Sequence, residues 1–139
     1  MVELKIISSK EEVEEISRAL SSEPKGNNLT PFVVGDYLVN SEKFTTLMIT
    51  NDQKLVGHSI CHASSADDGV LLEISKLYIL NDSRGHGYGL NAVDQIIELA
   101  KDDGISSVFA EPLDEAAKAF WSKTKLNYDP IANRFEIEL

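Results

Sequence analysis

The chain has 139 residues, of which 42% are hydrophobic and 26% charged, with a formal net charge of −10 and an isoelectric point near 4.6. This size and composition predict a single globular domain over residues 1–139 with its own core. The acidity argues against nucleic acid and anionic membranes as partners, because phosphate groups bind basic surfaces, and it favours cationic partners.

The lengths of the apolar runs and the positions of cysteine and histidine exclude further classes of protein. No apolar run approaches the roughly 18 residues of a membrane span, and the first residues lack the pattern of a signal peptide, so we expect a cytoplasmic protein. Cys61 is the only cysteine, and the three histidines have no zinc-site spacing. We therefore expect neither a disulfide nor a metal. A homodimer is an assembly that the sequence allows.

The N-terminal part predicts a strand, a helix and a loop. Residues 2–6 alternate apolar and polar side chains, as a half-buried strand does. Ser9 and Glu12 have the spacing of a capping box that begins a helix. That helix carries apolar residues at helical spacing, namely Val13, Ile16 and Leu20. Residues 21–31 are rich in turn formers and predict a loop.

The middle of the chain predicts an antiparallel meander. Residues 44–50, 54–63 and 70–80 are β-rich runs, and turn-forming residues at 51–53 and 66–69 separate them.

The last third predicts alternating helices and strands. Apolar residues recur at helical spacing over 88–103, and a second amphipathic helix is expected over 114–123. Short strands are expected at 105–110 and 134–139.

The chemistry concentrates where the 70–80 strand runs into the turn Arg84-Gly85-His86-Gly87-Tyr88-Gly89. Backbone N–H groups and the dipole of the following helix converge there, which favours a bound pyrophosphate. Gly85 would supply a positive φ, and Gly87 and Gly89 would let phosphates approach the backbone. Arg84 would add positive charge.

Two other nucleotide-binding motifs fit this turn poorly. A dinucleotide-binding fingerprint belongs in an early parallel βαβ unit, whereas this turn follows an antiparallel meander. A Walker loop needs Gly-Lys-Ser/Thr, which is missing from the turn.

The turn instead resembles the Arg/Gln-x-x-Gly-x-Gly/Ala signature of the Gcn5-related N-acetyltransferase superfamily. Residues 114–123 are similar to the family's later segment, Asn-x-x-Ala-x-x-Phe-Tyr-x-Lys, with departures at Asp114 and Trp121. The resemblance is clear from about residue 45 to 128 and weaker before it.

The resemblance implies an α/β fold whose mixed, mostly antiparallel sheet of six to seven strands is flanked by about four helices. It also implies that acetyl-coenzyme A is the cosubstrate, held between the splayed 70–80 and 105–110 strands. Backbone groups of Leu77, Tyr78 and Ile79 would pair with the pantetheine arm. Backbone amides of the turn would hold the pyrophosphate: Arg84, Gly85, His86, Gly87, Tyr88, Gly89 and Leu90.

Acetyl transfer needs a deprotonated amine, and an alkylamine of pKa about 10.4 costs about 4.6 kcal/mol to deprotonate at pH 7. Glu73 is our candidate for the base, because it lies eleven residues before Arg84, as in the histone-type members of the family. The alternative is that Glu73 faces solvent or forms a structural ion pair.

Trp121 stands where many family members place a tyrosine that protonates the coenzyme thiolate. An indole can only donate a hydrogen bond near the coenzyme, and its large apolar surface favours packing instead. Tyr128 or Tyr78 would then be the general acid, or the thiolate, with a pKa near 8.5, would leave without one.

The acceptor is the least determined feature. The short N-terminal segments and closing strands favour a protein lysine or an N-terminal amine, and a polyamine or an aminoglycoside fits almost as well. A non-catalytic acetyl-coenzyme A sensor and a catalytic subunit that depends on a partner are the remaining alternatives.

Overall fold

The computed structural model describes residues 1–23 and 44–139 of the chain. Its strands are β1 (Glu3–Ile6), β2 (Phe44–Asn51), β3 (Lys54–Ala66), β4 (Gly69–Ile79), β5 (Ser107–Ala110), β6 (Asn127–Asp129) and β7 (Arg134–Glu138). Its helices are α1 (Lys10–Ser21), α2 (Tyr88–Asp102) and α3 (Glu115–Trp121), and a 3-10 turn spans Asn81–Ser83.

The seven strands of the described residues form one sheet in the order β1-β2-β3-β4-β5-β7-β6. The strands β2, β3 and β4 form the antiparallel meander that the turns between them predict, and β1 pairs antiparallel with β2. The pair β4–β5 is parallel, and β7 pairs antiparallel with both β5 and β6. This mixed, mostly antiparallel sheet with flanking helices confirms the predicted fold class.

Each face of the sheet has its own core. The helix α1 packs Val13, Ile16 and Leu20 against Met48 of β2 and Tyr78 of β4. The helices α2 and α3 cover the other face with a second cluster. Its members from the strands and the two helices include Leu47, Cys61, Ile74, Val93, Ile96, Val108, Trp121 and Phe135.

The predicted helix cap at Ser9 is present, and α3 has a second cap at Asp114. The Ser9 hydroxyl accepts a hydrogen bond from the Glu12 backbone N–H at 3.2 Å. The Glu12 carboxylate reaches back one residue further than a simple capping box, to the Ser8 N–H at 2.8 Å. Asp114 caps α3 by accepting from the Ala117 N–H at 2.7 Å, so this departure from the family pattern keeps the capping function.

Several element bounds differ from the sequence predictions. The strand β6 was not predicted, because its three residues, Asn-Tyr-Asp, have no apolar alternation. Within the described residues three α-helices are seen, against about four expected. The expected loop at 21–31 begins as the last residue of α1 and a turn, and residues 24–31 lie outside the described residues.

In the described part of the chain, none of the helices is long and apolar enough to cross a membrane.

Candidate functional site

A cleft opens in the sheet where β4 and β5 part. Their parallel ladder comprises three pairs and ends with Glu73 opposite Phe109, whereas β4 continues to Ile79. Ser75 forms a bulge in β4, because Ile60 and Cys61 of β3 pair with Lys76 and Ile74. A bulge bends its strand and increases its twist, which helps β4 to diverge from β5.

A cavity of about 410 Å³ lies beside the end of β4 and the start of α2. Its lining comes from β4, the following turn, α2 and the C-terminal end of α3. The residues are Leu77, Tyr78, Ile79, Ser83, Arg84, Gly85, Gly87, Tyr88, Gly89, Leu90, Phe120 and Lys123.

Two glycines shape the turn at the start of α2. Gly85 and Gly87 have φ angles of 85° and 76°, which side chains rarely adopt, and a Cβ added to either would meet nothing within 4 Å. The first helical hydrogen bond runs from the Asn91 N–H to the Gly87 carbonyl. The first-turn N–H groups before Asn91 therefore have no partner inside the helix, which makes them suited to an anion.

Gly89 has a different role from the one expected of it. A Cβ at this position would lie 3.0 and 3.2 Å from ring carbons of Phe120 and 3.5 Å from a side-chain carbon of Ile79. The small residue is thus required for close packing of α2 against α3 and β4. Gly89 still lines the cavity.

Arg84 and Tyr78 form one wall of the cavity. The Arg84 guanidinium lies 4.9 Å from the centre of the Tyr78 ring, and its Nε donates to the Ile79 carbonyl at 2.9 Å. The Tyr78 hydroxyl donates to Glu23 at 2.7 Å. Burial, reinforced by this bond to Glu23, raises the pKa of Tyr78 to about 12, so the phenol stays protonated. Tyr78 is therefore a poor general acid.

His86 lies on the outside of the turn. It is exposed, its Nδ1 is 3.1 Å from the Ser83 carbonyl, and its ring stacks on Tyr88 at 5.2 Å. His86 is not among the residues that line the cavity, whereas Tyr88 and Leu90 are.

Trp121 points into the core. It is 7% exposed, belongs to the cluster beneath α2 and contacts Phe120 edge to face at 5.1 Å. Phe120 and Lys123, its neighbours in the same family segment, line the cavity instead. The sequence carried the signal for both residues, since they match the Phe and Lys of that segment.

Glu73 is half-buried on the sheet face opposite α2. Its neighbours Leu72 and Ile74 pack in the cluster beneath α2, so strand alternation directs Glu73 to the other face. Its Oε1 accepts from the Ser75 hydroxyl at 3.2 Å. It has no ion pair with any described residue, so of the two alternatives a structural ion pair finds no support there.

Glu73 and Tyr128 are not brought together. In the sheet order, β5 and β7 stand between β4 and β6, so their strands are roughly 14 Å apart. The Tyr128 ring lies against Phe135, on the α3 side, and under the Lys118 amine at 4.3 Å. Its hydroxyl donates to Asn133 at 2.8 Å.

Cys61 and His58 are buried and poorly suited to chemistry. Burial raises the pKa of the Cys61 thiol to about 11, which disfavours a nucleophilic thiolate. Burial, together with the nearby charge of Lys76, lowers the pKa of His58 to about 4. Among the described residues, no group of three possible ligands could hold a metal ion.

Several solved structures of low sequence identity share this fold. One is AtaTR bound with AcCoA (15% identity, TM-score 0.71, covering 99% of this chain and 92% of that chain). Another is an aminoglycoside acetyltransferase from an uncultured soil metagenomic sample in complex with sisomicin (16% identity, TM-score 0.71, 89% and 87% covered). Among curated protein sequences, none matches the chain.

A third similar structure corrects one prediction. It is the KacTA–DNA complex, with 18% identity, a TM-score of 0.73 and coverage of 99% of this chain and 93% of that chain. The prediction that nucleic acid is excluded as a partner is therefore wrong. Net charge is a sum over the whole surface, and it does not decide which assemblies a fold enters.

The sequence itself settles the family. Residues 11–126 match the model of the Acetyltransferase (GNAT) family, which is most of the chain and includes β4, the glycine turn, α2 and α3. The chain belongs to the GNAT acetyltransferase family.

Proposed function

We propose that this protein transfers the acetyl group of acetyl-coenzyme A to a primary amine. The observation that carries the proposal is the single cavity wall that runs from the end of β4 to the first turn of α2. This wall joins a turn suited to an anion to the edge of β4, which no longer pairs with β5 beyond Glu73. A coenzyme with a diphosphate at one part and an amide-bearing arm at another needs both features.

The diphosphate would lie at the start of α2. The N–H groups of residues 85–90 have no helical partners, whereas that of Arg84 donates to the Asn81 carbonyl at 3.4 Å. The two left-handed glycines leave room for phosphate oxygens. Arg84 and Lys123 line the same cavity and supply positive charge in an acidic protein. His86 would contribute through its backbone only, since its ring is outside the cavity lining.

The pantetheine arm would run along Leu77, Tyr78 and Ile79. Amide groups of the arm can pair with a strand edge as an added strand does, and the splay provides space for them between β4 and β5. Phe120 and Leu77 would give the arm an apolar surface. Trp121 would support this wall from the core by packing against Phe120.

Glu73 would act as the base, because it stands where the β4–β5 ladder ends and the cleft begins. Its carboxylate, directly or through water, would take a proton from the ammonium group of the acceptor. The amine nitrogen would then bond to the thioester carbon, the carbon–sulfur bond would break, and the second proton of the nitrogen would pass to water. The coenzyme would leave as a thiolate, and Tyr128 is too distant from Glu73 for the two to share one reacting centre.

The acceptor would be a cationic amine, with a protein lysine or N-terminal amine as the first expectation. Glu73, Phe109 and Glu136 are in register across β4, β5 and β7, so two carboxylates flank an aromatic ring on one sheet face. Arg134 lies over that ring at 4.5 Å and pairs with Glu136 at 3.3 Å. Arg134 neutralises one of the two carboxylates, so the row keeps one net negative charge that would favour an ammonium group. Polyamines and aminoglycosides remain the small-molecule alternative.

The first experiment combines calorimetric binding of acetyl-coenzyme A with a thiol-release assay. The acceptor panel contains lysine peptides, N-terminal peptides, polyamines and aminoglycosides. We expect micromolar coenzyme binding and turnover with one acceptor class. Binding without turnover on any acceptor would favour the sensor or the partner-dependent alternative, and failure to bind the coenzyme would refute the proposal.

The base is tested by Glu73→Gln, with Glu3→Gln on the exposed part of β1 as the matched control. We expect Glu73→Gln to lower kcat by about 10²- to 10⁴-fold, the usual contribution of a general base, and to leave coenzyme binding unchanged. The control keeps full activity. A Glu73→Gln enzyme with normal kcat would remove Glu73 from the mechanism.

A further inference from the structure

A carboxylate that follows α1 in sequence contacts residues at the coenzyme cavity without lining the cavity itself. Glu23, just after the C-terminal end of α1, accepts two hydrogen bonds at one oxygen, Oε1. One comes from the Tyr78 hydroxyl and the other from the Asn81 backbone N–H, both at 2.7 Å. A single carboxylate oxygen thus joins α1 to two segments that are more than 50 residues away in sequence.

Both donors stand at the entrance to the glycine turn. Asn81 begins the 3-10 turn that leads from β4 to Arg84, so Glu23 caps this turn from another part of the chain. Tyr78 lines the cavity, and its ring carries the Arg84 guanidinium. Arg84 in turn donates to the carbonyl of Ile79, the last residue of β4. The contacts form a chain from Glu23 to the turn.

From this chain of contacts we propose that Glu23 is a positioning residue that fixes the glycine turn for the diphosphate of the coenzyme. The inference rests on the proposed function, in which that turn holds the diphosphate. Glu23 does not line the cavity, so it acts through Tyr78, Asn81 and Arg84. Because the Tyr78 pKa is raised to about 12, the hydroxyl remains a donor to Glu23 at physiological pH.

The proposal requires that loss of Glu23 affects the diphosphate more than the rest of the coenzyme. The test compares calorimetric binding of acetyl-coenzyme A with that of S-acetylpantetheine, which lacks the diphosphate and the nucleoside attached to it. We expect Glu23→Ala, which removes both hydrogen bonds, to weaken acetyl-coenzyme A binding about tenfold. Its affinity for S-acetylpantetheine stays within twofold of wild type.

Two further variants separate positioning from folding. Glu23→Gln keeps an oxygen that accepts both hydrogen bonds, so it restores affinity to near the wild-type value. Tyr78→Phe removes one of the two bonds, keeps the ring beneath Arg84, and gives a loss between those of wild type and Glu23→Ala. Glu15→Ala removes an exposed carboxylate from the same helix and is the matched control, with wild-type affinity for both ligands.

The outcomes distinguish this inference from the function on which it rests. Wild-type protein that fails to bind acetyl-coenzyme A refutes the proposed function. If wild type binds and Glu23→Ala binds equally well, or loses affinity equally for both ligands, the positioning role is refuted and the function stands.

Discussion

At the residue scale, the glycines at the two ends of α2 have the same backbone conformation, but they differ in whether they lie at the cavity. Gly87 and Gly104 have φ angles of 76° and 75°, and a Cβ at either would meet no atom within 4 Å. Replacing either with alanine therefore costs about 1–2 kcal/mol of backbone strain and creates no clash with protein. Of these two glycines, Gly87 lines the cavity and Gly104 does not.

We predict that Gly87→Ala and Gly104→Ala lower the free energy of unfolding by similar amounts, measured by urea denaturation. Only Gly87→Ala should also weaken acetyl-coenzyme A binding, by tenfold or more, because its methyl group occupies space that a phosphate oxygen needs. Equal coenzyme affinities in the two variants would show that the turn does not contact the diphosphate.

At the element scale, the family motif predicts where α3 lies but not which of its side chains face the cavity. The sequence located the helix over 114–123, and the structure adds that Asp114 is its N-cap. The sequence directed attention to Trp121, which the fold buries, while Phe120 and Lys123 face the cavity. Which side of a seven-residue helix faces a cavity depends on packing against other elements, and local spacing alone does not fix it.

The position of Lys123 leads to a prediction about salt. As an exposed cation at the cavity, Lys123 should contribute up to about 1 kcal/mol to phosphate binding, and less as salt screens it. Lys123→Gln should weaken acetyl-coenzyme A binding two- to fivefold at low salt and make it less salt-dependent. Lys101 is exposed on α2 and pairs with Glu98. Lys101→Gln is the control, and it should change neither the coenzyme affinity nor its salt dependence. An unchanged salt dependence in Lys123→Gln would place the phosphates elsewhere.

At the scale of the whole molecule, the sequence predicted the pairing of strands joined by short turns better than the pairing of strands distant in sequence. The meander of β2, β3 and β4 could be predicted because short turns join these strands. The placement of β7 between β5 and β6, and the early end of the β4–β5 ladder, depend on long-range pairing. The cleft was expected from the family resemblance, and no local pattern in β4 or β5 encodes it.

Buried His58 couples the stability of the whole molecule to pH. Its pKa falls from an ordinary value near 6.5 to about 4 on folding, mainly because burial disfavours the charged ring. As pH drops below 6.5, the unfolded chain takes up this proton and the folded protein does not. The stabilisation that depends on neutral His58 is therefore complete above pH 6.5 and is lost as pH falls towards 4.

Linkage gives this loss a size that urea denaturation can measure. Between pH 7.5 and 5.5, His58 should account for about 1.3 kcal/mol of the fall in unfolding free energy. His58→Gln has no titrating ring at this position, so its stability should fall less over the same interval, by that amount. Exposed His86→Gln is the matched control for replacing a histidine with glutamine. If His58→Gln and wild type lost equal stability, the buried ring would already be compensated in the folded protein.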